Sequence, residues 1–396
     1  MTVRTYLDIH ILQSVPPSNL NRDDAGSPKH ATYGGVQRAR VSSQAWKRAT
    51  RRAFDTELGL PPAQLGVRTQ RIAALLADRI AARTGLDAAA CRRLGEAVPT
   101  GLGIKAKTSK TKGRKGDPEA GGPPAETAYL LFLGNAQLDA IADRVAGQAA
   151  GLADLADDAL TKAMAELVDA DLLRQGHPID VALFGRMVAD LTHLNVDAAV
   201  QVAHALTTHG VETEFDYFTA VDDGKSRDEN AGAAMLGTVE FTSGTLYRYA
   251  TVGLHQLAAN LDGDREATAA AVAAFLRAFA LSMPGGHGNT FAHRTLPWLV
   301  AVVARADQPV NLVSAFESPV HAGGDGLTGG SAARLARELD GCTAQWGLSP
   351  LAIHASYPAD GAAAAVRAAF GDPQPFDAVV EAVTALARER LAGAAA

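Results

Sequence analysis

The sequence predicts an α+β protein, a mixed domain built on a sheet with one large helical excursion inside it. Three observations carry this reading. An alternating, strand-like segment opens the chain, residues 60–175 keep helical spacing, and apolar strand-like segments return later between amphipathic helices. At 396 residues the chain exceeds the usual size of a single core, so two domains, or one domain with a large insertion, are expected.

"TYLDIHIL" (Thr5–Leu12) alternates, with Thr5, Leu7, Ile9 and Ile11 on one face and Tyr6, Asp8, His10 and Leu12 on the other. It reads as a half-exposed strand. The stretch Gln13–Arg40 holds Pro16, Pro17, Pro28, Gly34 and Gly35 and reads as a long loop, of the length that is usually functional or disordered. Ser42 or Ser43 then suits an N-cap, and a helix is expected to about Leu58 with Gly59 as its stop. At helical spacing Trp46, Ala49, Thr50, Ala53 and Phe54 share one face, while Lys47, Arg48, Arg51 and Arg52 share the opposite one.

Residues 60–175, rich in Ala, Leu, Arg and Asp, read as a mainly helical insertion. The segment Lys105–Glu126 interrupts it with six positive charges between Lys105 and Lys115, glycines and prolines, and is expected to be a flexible surface loop. "AYLLFLG" (Ala128–Gly134) follows as a short buried strand. "GTVEFTSGTLYRYATVGL" (Gly237–Leu254) reads as a hairpin turning near Thr242–Gly244. Ala269–Met283 is expected as a helix ended by Pro284 and Gly285. Pro297–Ala306 and Pro309–Glu317 are expected as strands, and Gly329–Gly347 and Pro375–Gly393 as amphipathic helices.

Composition bounds function. The apolar fraction of 47% is ordinary for a soluble protein, no run of about 18 apolar residues suggests a membrane span, and the first twenty residues do not look like a signal peptide. Two distant cysteines, Cys91 and Cys342, give neither a disulfide framework nor a CxxC zinc site, which suits a reducing cytoplasm. The formal charge is −6. Yet Asn21–Arg52 holds eight bases (Arg22, Lys29, Arg38, Arg40, Lys47, Arg48, Arg51 and Arg52) against Asp23 and Asp24. That is a local charge of +6, and it leaves −12 for the rest of the chain. Such asymmetry marks an anion-binding face.

Motifs for catalysis are missing. There is no GxxxxGK, no GxGxxG after a strand, no HExxH and no GxSxG. His204 and His209 are five apart, off the i, i+4 metal pair, and suit capping or packing. The acidic pairs Asp23–Asp24 and Asp222–Asp223 suit solvated turns better than a Mg²⁺ site. "PGGHGNTFAHR" (Pro284–Arg294) is either a phosphate-cradling loop or a plain helix-terminating turn. Thr208–Gly237 is long and polar, flanked by Phe215, Tyr217 and Phe218 and ending in Met235–Leu236. It reads as a projecting arm or a disordered loop.

Seven segments together resemble one family. They are "LDIHIL", "PPSNLNRDDAGSPKHATYGGVQRARVSSQAWKRATRR", "IDVALFGRM" (Ile179–Met187), "VDAAVQVAHALTTH" (Val196–His209), "FDYFTAVDD", "FTSGTLYRYA" and "AFESPV". In this order they are similar to the CasC backbone subunit family of the type I-E CRISPR surveillance complex, Cascade. The likeness runs from the first strand to about Val320 and is poor over Leu58–Asp180 and in the C-terminal tail.

The resemblance implies a modified RNA-recognition-motif (ferredoxin-like) palm in three parts (1–58, 181–208 and 243–396), a helical fingers insertion (59–180) and a projecting thumb (209–242). It implies a noncatalytic, cytoplasmic, prokaryotic protein without cofactor or metal. Its partners would be CRISPR RNA, the target DNA strand, further copies of itself stacked head-to-tail and other Cascade subunits. Arg22, Lys29, Arg40, Lys47, Arg48 and Arg51 would grip RNA phosphates, with Ser42 and Gln44 adding hydrogen bonds. Met187 would sit beneath a kinked base, Leu236 would wedge at the displaced base, and Tyr217 and Phe218 would shape the thumb. The Lys105–Lys115 loop would touch target duplex. Relatives in type III complexes cleave RNA with a loop aspartate and a metal, and here Asp23 or Asp24 would be the candidate. The remaining alternative is an α+β protein with an incidental basic helix.

Overall fold

A computed structural model describes residues 4–105, 107, 125–168, 170–220, 235–360 and 362–393. Strand β1 (Tyr6–Ser18) is an inner strand of its sheet and longer than its alternation suggests, running through Pro16 and Pro17. Strands β2 (His30–Tyr33) and β3 (Val36–Val41) form an antiparallel hairpin. Helix α1 (Ser43–Thr56) follows. The next elements are β4 (Gly66–Thr69), α2 (Ile72–Ala81), α3 (Ala88–Gly101), β5 (Leu131–Gly134), α4 (Asn135–Ala146), α5 (Ala149–Ala153), α6 (Asp157–Leu167) and α7 (Ile179–Phe184). Short strands β6 (Val200–Val202) and β7 (Ala205–Thr207) precede β8 (Glu214–Ala220) and the 19-residue β9 (Met235–Gly253). The chain closes with α8 (Leu254–Asn260), α9 (Arg265–Leu281), α10 (Gly288–Phe291), β10 (Leu299–Arg305), α11 (Gly326–Trp346), β11 (Ala352–Ser356), α12 (Ala364–Phe370) and α13 (Phe376–Ala392).

The main sheet is ordered β11-β10-β1-β9-β7-β3-β2, with β6 and β8 also pairing with β9, and its pairings are antiparallel. The α+β expectation therefore holds. The chain divides into two compact units. The first is Met1–Leu58, Val200–His255 and Ala269–Ala396, and the second is Gly59–Ala199 with Gln256–Thr268. In the second, Leu76, Leu94, Val98, Leu138, Ile141 and Met164 join one core, and β4 pairs with β5, the short buried strand expected at Ala128–Gly134.

Four sequence expectations need correction. First, β1 is not half-exposed: Asp8, His10 and Leu12 are as buried as Leu7, Ile9 and Ile11. One face meets α1 and α9, where the Arg248 guanidinium lies 3.7 Å from the Trp46 ring centre and 4.7 Å from that of Phe279. The other face packs Leu12, Tyr247 and Tyr249 against α11 and α12. On that face the Asp8 carboxylate and one ring nitrogen of His10 find partners inside the protein. Asp8 pairs with Arg305 at 3.2 Å and accepts from the Tyr249 hydroxyl (2.9 Å) and the Val310 N–H (2.8 Å). His10 Nδ1 lies 2.9 Å from the Tyr247 hydroxyl, which itself donates to Asn311 Oδ1 at 3.2 Å. A polar residue in an alternating strand signals solvent only when no partner awaits it.

Second, the Gln13–Arg40 loop is largely sheet. Gly34 and Gly35, at φ 61° and 77°, make the two-residue turn of the β2–β3 hairpin, which needs left-handed backbone at both positions. Third, there is no turn at Thr242–Gly244. β9 runs straight through it, and the ladder with β1 only shifts register between Val15 and Ser18. Below that shift β9 leaves β1 and pairs with β8, so one strand serves the sheet and a two-stranded ribbon. Fourth, Pro309–Glu317 is not a strand. A 3₁₀ turn (Leu312–Phe316) forms there because Asn311 Oδ1 accepts the Val313 N–H (3.1 Å) and the Tyr247 hydroxyl accepts that of Leu312 (3.2 Å). Lys110, Lys112, Arg114 and Lys115 of the lysine-rich loop, Asp222–Asp223 and the Leu236 side chain lie outside the described residues.

Candidate nucleic-acid interface

Helix α1 forms where Ser42 caps it. The hydroxyl accepts the Ala45 N–H (3.3 Å), and the Ser42 N–H is taken by Asn21 Oδ1 (2.8 Å). His204 supplies a second cap, its Nδ1 lying 3.2 Å from the Ser43 N–H and 3.3 Å from Arg40 Nη1. Both partners donate, so Nδ1 is the unprotonated nitrogen. Burial, then the cations Arg40 and Lys29, hold this imidazole below its ordinary pKa. The capping role expected of His204 is thus what the structure shows, and His209 is buried with its Nε2 accepting the Thr245 N–H at 3.1 Å.

The helix buries Trp46, Thr50, Ala53 and Phe54, the face expected from spacing. Its other side exposes Gln44, Arg48 and Arg52 and leaves Lys47 and Arg51 half-buried. Asn21 knits the preceding segments to this face. Its carbonyl accepts the Lys29 N–H (2.9 Å), and the Lys29 carbonyl accepts the Arg40 N–H (2.8 Å). Arg40 Nε also donates to the His30 carbonyl (3.2 Å). Lys29 and Arg40 are therefore placed by backbone hydrogen bonds beside the N-terminus of α1, whose dipole adds positive potential there.

Arg38 is the exception among the eight bases. It is fully buried and donates to the carbonyls of Tyr33 (3.1 Å), Thr207 (3.1 Å) and Phe316 (2.9 Å). This charge is internal, so the surface is less basic than the sequence count suggests. Ser42 is also buried, its hydroxyl turned to the helix, whereas Gln44 is exposed.

Arg22 stands on the 19–28 loop, exposed, with Nη1 2.9 Å from His287 Nε2. Asp23 beside it closes its own turn, one carboxylate oxygen accepting the N–H groups of Ala25 and Ser27 at 2.9 Å each. Asp24 is exposed. Among the described residues no three His, Cys, Asp or Glu side chains gather as a metal site. No helix among them is long and apolar enough to cross a membrane.

On the ribbon, Tyr217 and Phe218 are exposed, as is Phe215, and Leu236 pairs with Thr219 through the backbone. Met187 belongs to the second unit and is 81% exposed, extreme for a large apolar side chain. Its neighbours fix it. Arg186 and Val196 exchange backbone hydrogen bonds (2.9 and 2.8 Å), and the Val188 N–H donates to Asn195 Oδ1 (2.6 Å). The first unit thus gathers Arg22, Lys29, Arg40, Ser42, Gln44, Lys47, Arg48 and Arg51 around one helix and its approach, with Tyr217 and Phe218 on the ribbon. Sequence reasoning missed Asn21 and His287. Asn21 carried no signal, whereas His287 lies in a glycine-rich segment already singled out.

A profile of the family described as CT1975-like protein matches residues 7–382. A chain of a solved "CRISPR RNA-guided surveillance complex, pre-nicking" is 35% identical, covers 96% of this chain and 100% of that one, and superposes with a TM-score of 0.77. A chain of a "CRISPR RNA-guided surveillance complex" is 32% identical, covers 96% and 99%, and gives 0.69. No curated protein matches.

Proposed function

The chain belongs to the Cas CT1975-like protein family, and from that premise we propose that it is a noncatalytic backbone subunit that polymerises along CRISPR RNA in a Cascade-type complex of the type I-E kind. The observation that carries this reading is the group of cations around α1, with Lys29 and Arg40 set by backbone hydrogen bonds at its N-terminus and Lys47, Arg48 and Arg51 along its outer side. Such contacts grip phosphates and ignore sequence, as a protein carrying any guide must. Sequence reading is left to base pairing with the target DNA strand.

In this reading the palm, an RNA-recognition-motif-like sheet, is centred on the first unit and the helical fingers on the second. The β8–β9 ribbon is the thumb. Copies stack head-to-tail, a heterologous arrangement that need not close into a ring, alongside other Cascade subunits in the cytoplasm of a prokaryote. Met187, Tyr217 and Phe218 offer apolar surface where RNA is kinked at regular intervals, and Leu236, by its place on the ribbon, is the proposed wedge at the displaced base, since wedges between bases hold a kink. The rigid mounting of the exposed Met187 supports this use.

The test is the salt dependence of binding to two unrelated single-stranded RNAs. The expected wild-type result is equal affinity for both with a steep slope. Lys47→Ala with Arg51→Ala should weaken both equally and make the log–log slope shallower by about 0.7 per lost phosphate contact. A loss confined to one RNA refutes the backbone grip. Cleavage of these RNAs in Mg²⁺, abolished by Asp23→Ala with Asp24→Ala, refutes the noncatalytic part.

A further inference from the structure

The segment Pro284–Arg294 has no part in the reading above, yet its geometry points at Arg22. His287 and Ala292, at φ 51° and 44°, are two of three described non-glycine residues in the left-handed region, and they bracket the four-residue helix α10. Such strain persists only where the surroundings impose it, and it gathers at functional sites. The surroundings here are the Arg22 loop. A Cβ on Gly286 would lie 2.5 Å from the carbonyl oxygens of Asn19 and Leu20, so only glycine permits this approach. Gly286 and residues 20–26 line one open cleft.

The His287 ring is then fixed from its other side. Phe291 meets it edge-on, with ring centres 6.2 Å apart at 76°, and Phe291 in turn lies 5.8 Å from Phe241 on β9. Asn19 ties the Arg22 loop to the same strand, donating to the carbonyls of Gly26 (2.9 Å) and Glu240 (3.0 Å). The ring therefore arrives 2.9 Å from Arg22 Nη1 with its Nε2 as the acceptor, because a guanidinium only donates.

We infer that His287 is a positioning residue for RNA binding: it holds one N–H of Arg22 and so presets the guanidinium for a phosphate. The inference rests on the RNA-binding reading. An arginine that is already ordered loses less conformational freedom on binding than a free one, and that difference appears as affinity. The bond also joins the arginine to the root of the β8–β9 ribbon through Phe291 and Phe241, so the ribbon's base and the grip share one mount.

The experiment is binding of full-length protein to the same two RNAs by His287→Phe, His287→Gln, Arg22→Ala and Arg22→Ala with His287→Phe, together with the Lys47/Arg51 pair. His287→Phe keeps the ring against Phe291 and removes the acceptor, and should weaken binding by about two- to tenfold, the worth of one hydrogen bond. His287→Gln restores an acceptor and should restore affinity. In the Arg22→Ala background His287→Phe should change nothing further. A full additional loss in that background, or no loss in wild type, overturns the inference. If Arg22→Ala leaves affinity and salt slope untouched while the Lys47/Arg51 pair alters them, the RNA grip stands and the role of His287 falls. If wild type binds neither RNA, the RNA-binding reading itself falls, and this inference with it.

Discussion

His10 gives the sharpest prediction about stability. It is fully buried on an inner strand, with Nδ1 2.9 Å from the Tyr247 hydroxyl and, among the described residues, no hydrogen-bond partner at Nε2. The hydroxyl's one proton is directed to Asn311, so Nδ1–H is the donor and Nε2 the bare nitrogen. Protonation would put a charge on a fully buried ring, in a core that already holds the Arg305 cation. Burial first, and that cation second, push the pKa from 6.5 down to about 3.

The sign follows by linkage. Above pH 6.5 the ring is neutral folded and unfolded, and contributes nothing to pH dependence. Below 6.5 the unfolded chain takes a proton that the folded one refuses, so stability falls by about 1.4 kcal/mol per pH unit, or about 3 kcal/mol by pH 4. Asp8 works the other way. Its burial raises the carboxyl above the usual range, so the folded state takes up that proton first as pH falls. Comparison with a variant isolates His10. The assay is urea denaturation followed by tryptophan fluorescence, and all three tryptophans, Trp46, Trp298 and Trp346, lie in the first unit. Wild type minus His10→Gln should be flat from pH 8 to 6.5 and then decline by about 3 kcal/mol to pH 4. Parallel profiles over the whole range would show that His10 is not held neutral, and the argument would fail.

The paired turn glycines should separate strain from clash. A Cβ at Gly34 would sit 1.5 Å from the Glu317 carbonyl oxygen, whereas one at Gly35 meets nothing within 4 Å. Gly35→Ala should cost about 1 kcal/mol of left-handed strain, and Gly34→Ala about 3 kcal/mol once overpacking is added. The same fluorescence assay reads both, and equal losses would contradict the close approach. Met187→Ala should leave the unfolding midpoint unchanged, because the side chain is exposed, and lower affinity for single-stranded RNA by about fivefold to tenfold, the low end of what a lost aromatic stacking contact to a base costs. An unchanged affinity would remove Met187 from the interface.

Much of the fold was legible because it rested on local signals. Helix α1 announced itself through Ser42, the Trp46–Phe54 stripe and the basic stripe opposite, and α11 and α13 through their spacing. The misreadings share a cause. Asp8, His10 and Arg38 are polar residues whose partners come from distant segments: Arg305, Tyr247, and the carbonyls of Thr207 and Phe316. No local rule reveals that a buried partner awaits them. The straight run of β9 through Ser243–Gly244 was hidden likewise, since what keeps it extended is the ladder to β1. At the candidate interface the residue types were legible and their mounting was not. Lys29 and Arg40 could be named, but the hydrogen bonds that place them run through Asn21 and His204.

The dual role of β9 has a mechanical consequence. One covalent strand begins in the ribbon beside β8 and ends in the sheet beside β1. At about 3.3 Å per residue its 19 residues have a contour length of about 60 Å. Tension on the ribbon end travels along that strand and loads the β1–β9 ladder lengthwise, in shear, so its hydrogen bonds share the load instead of opening one after another. The ribbon is therefore anchored as a beam built into the sheet, and it can bear a pull without peeling from it.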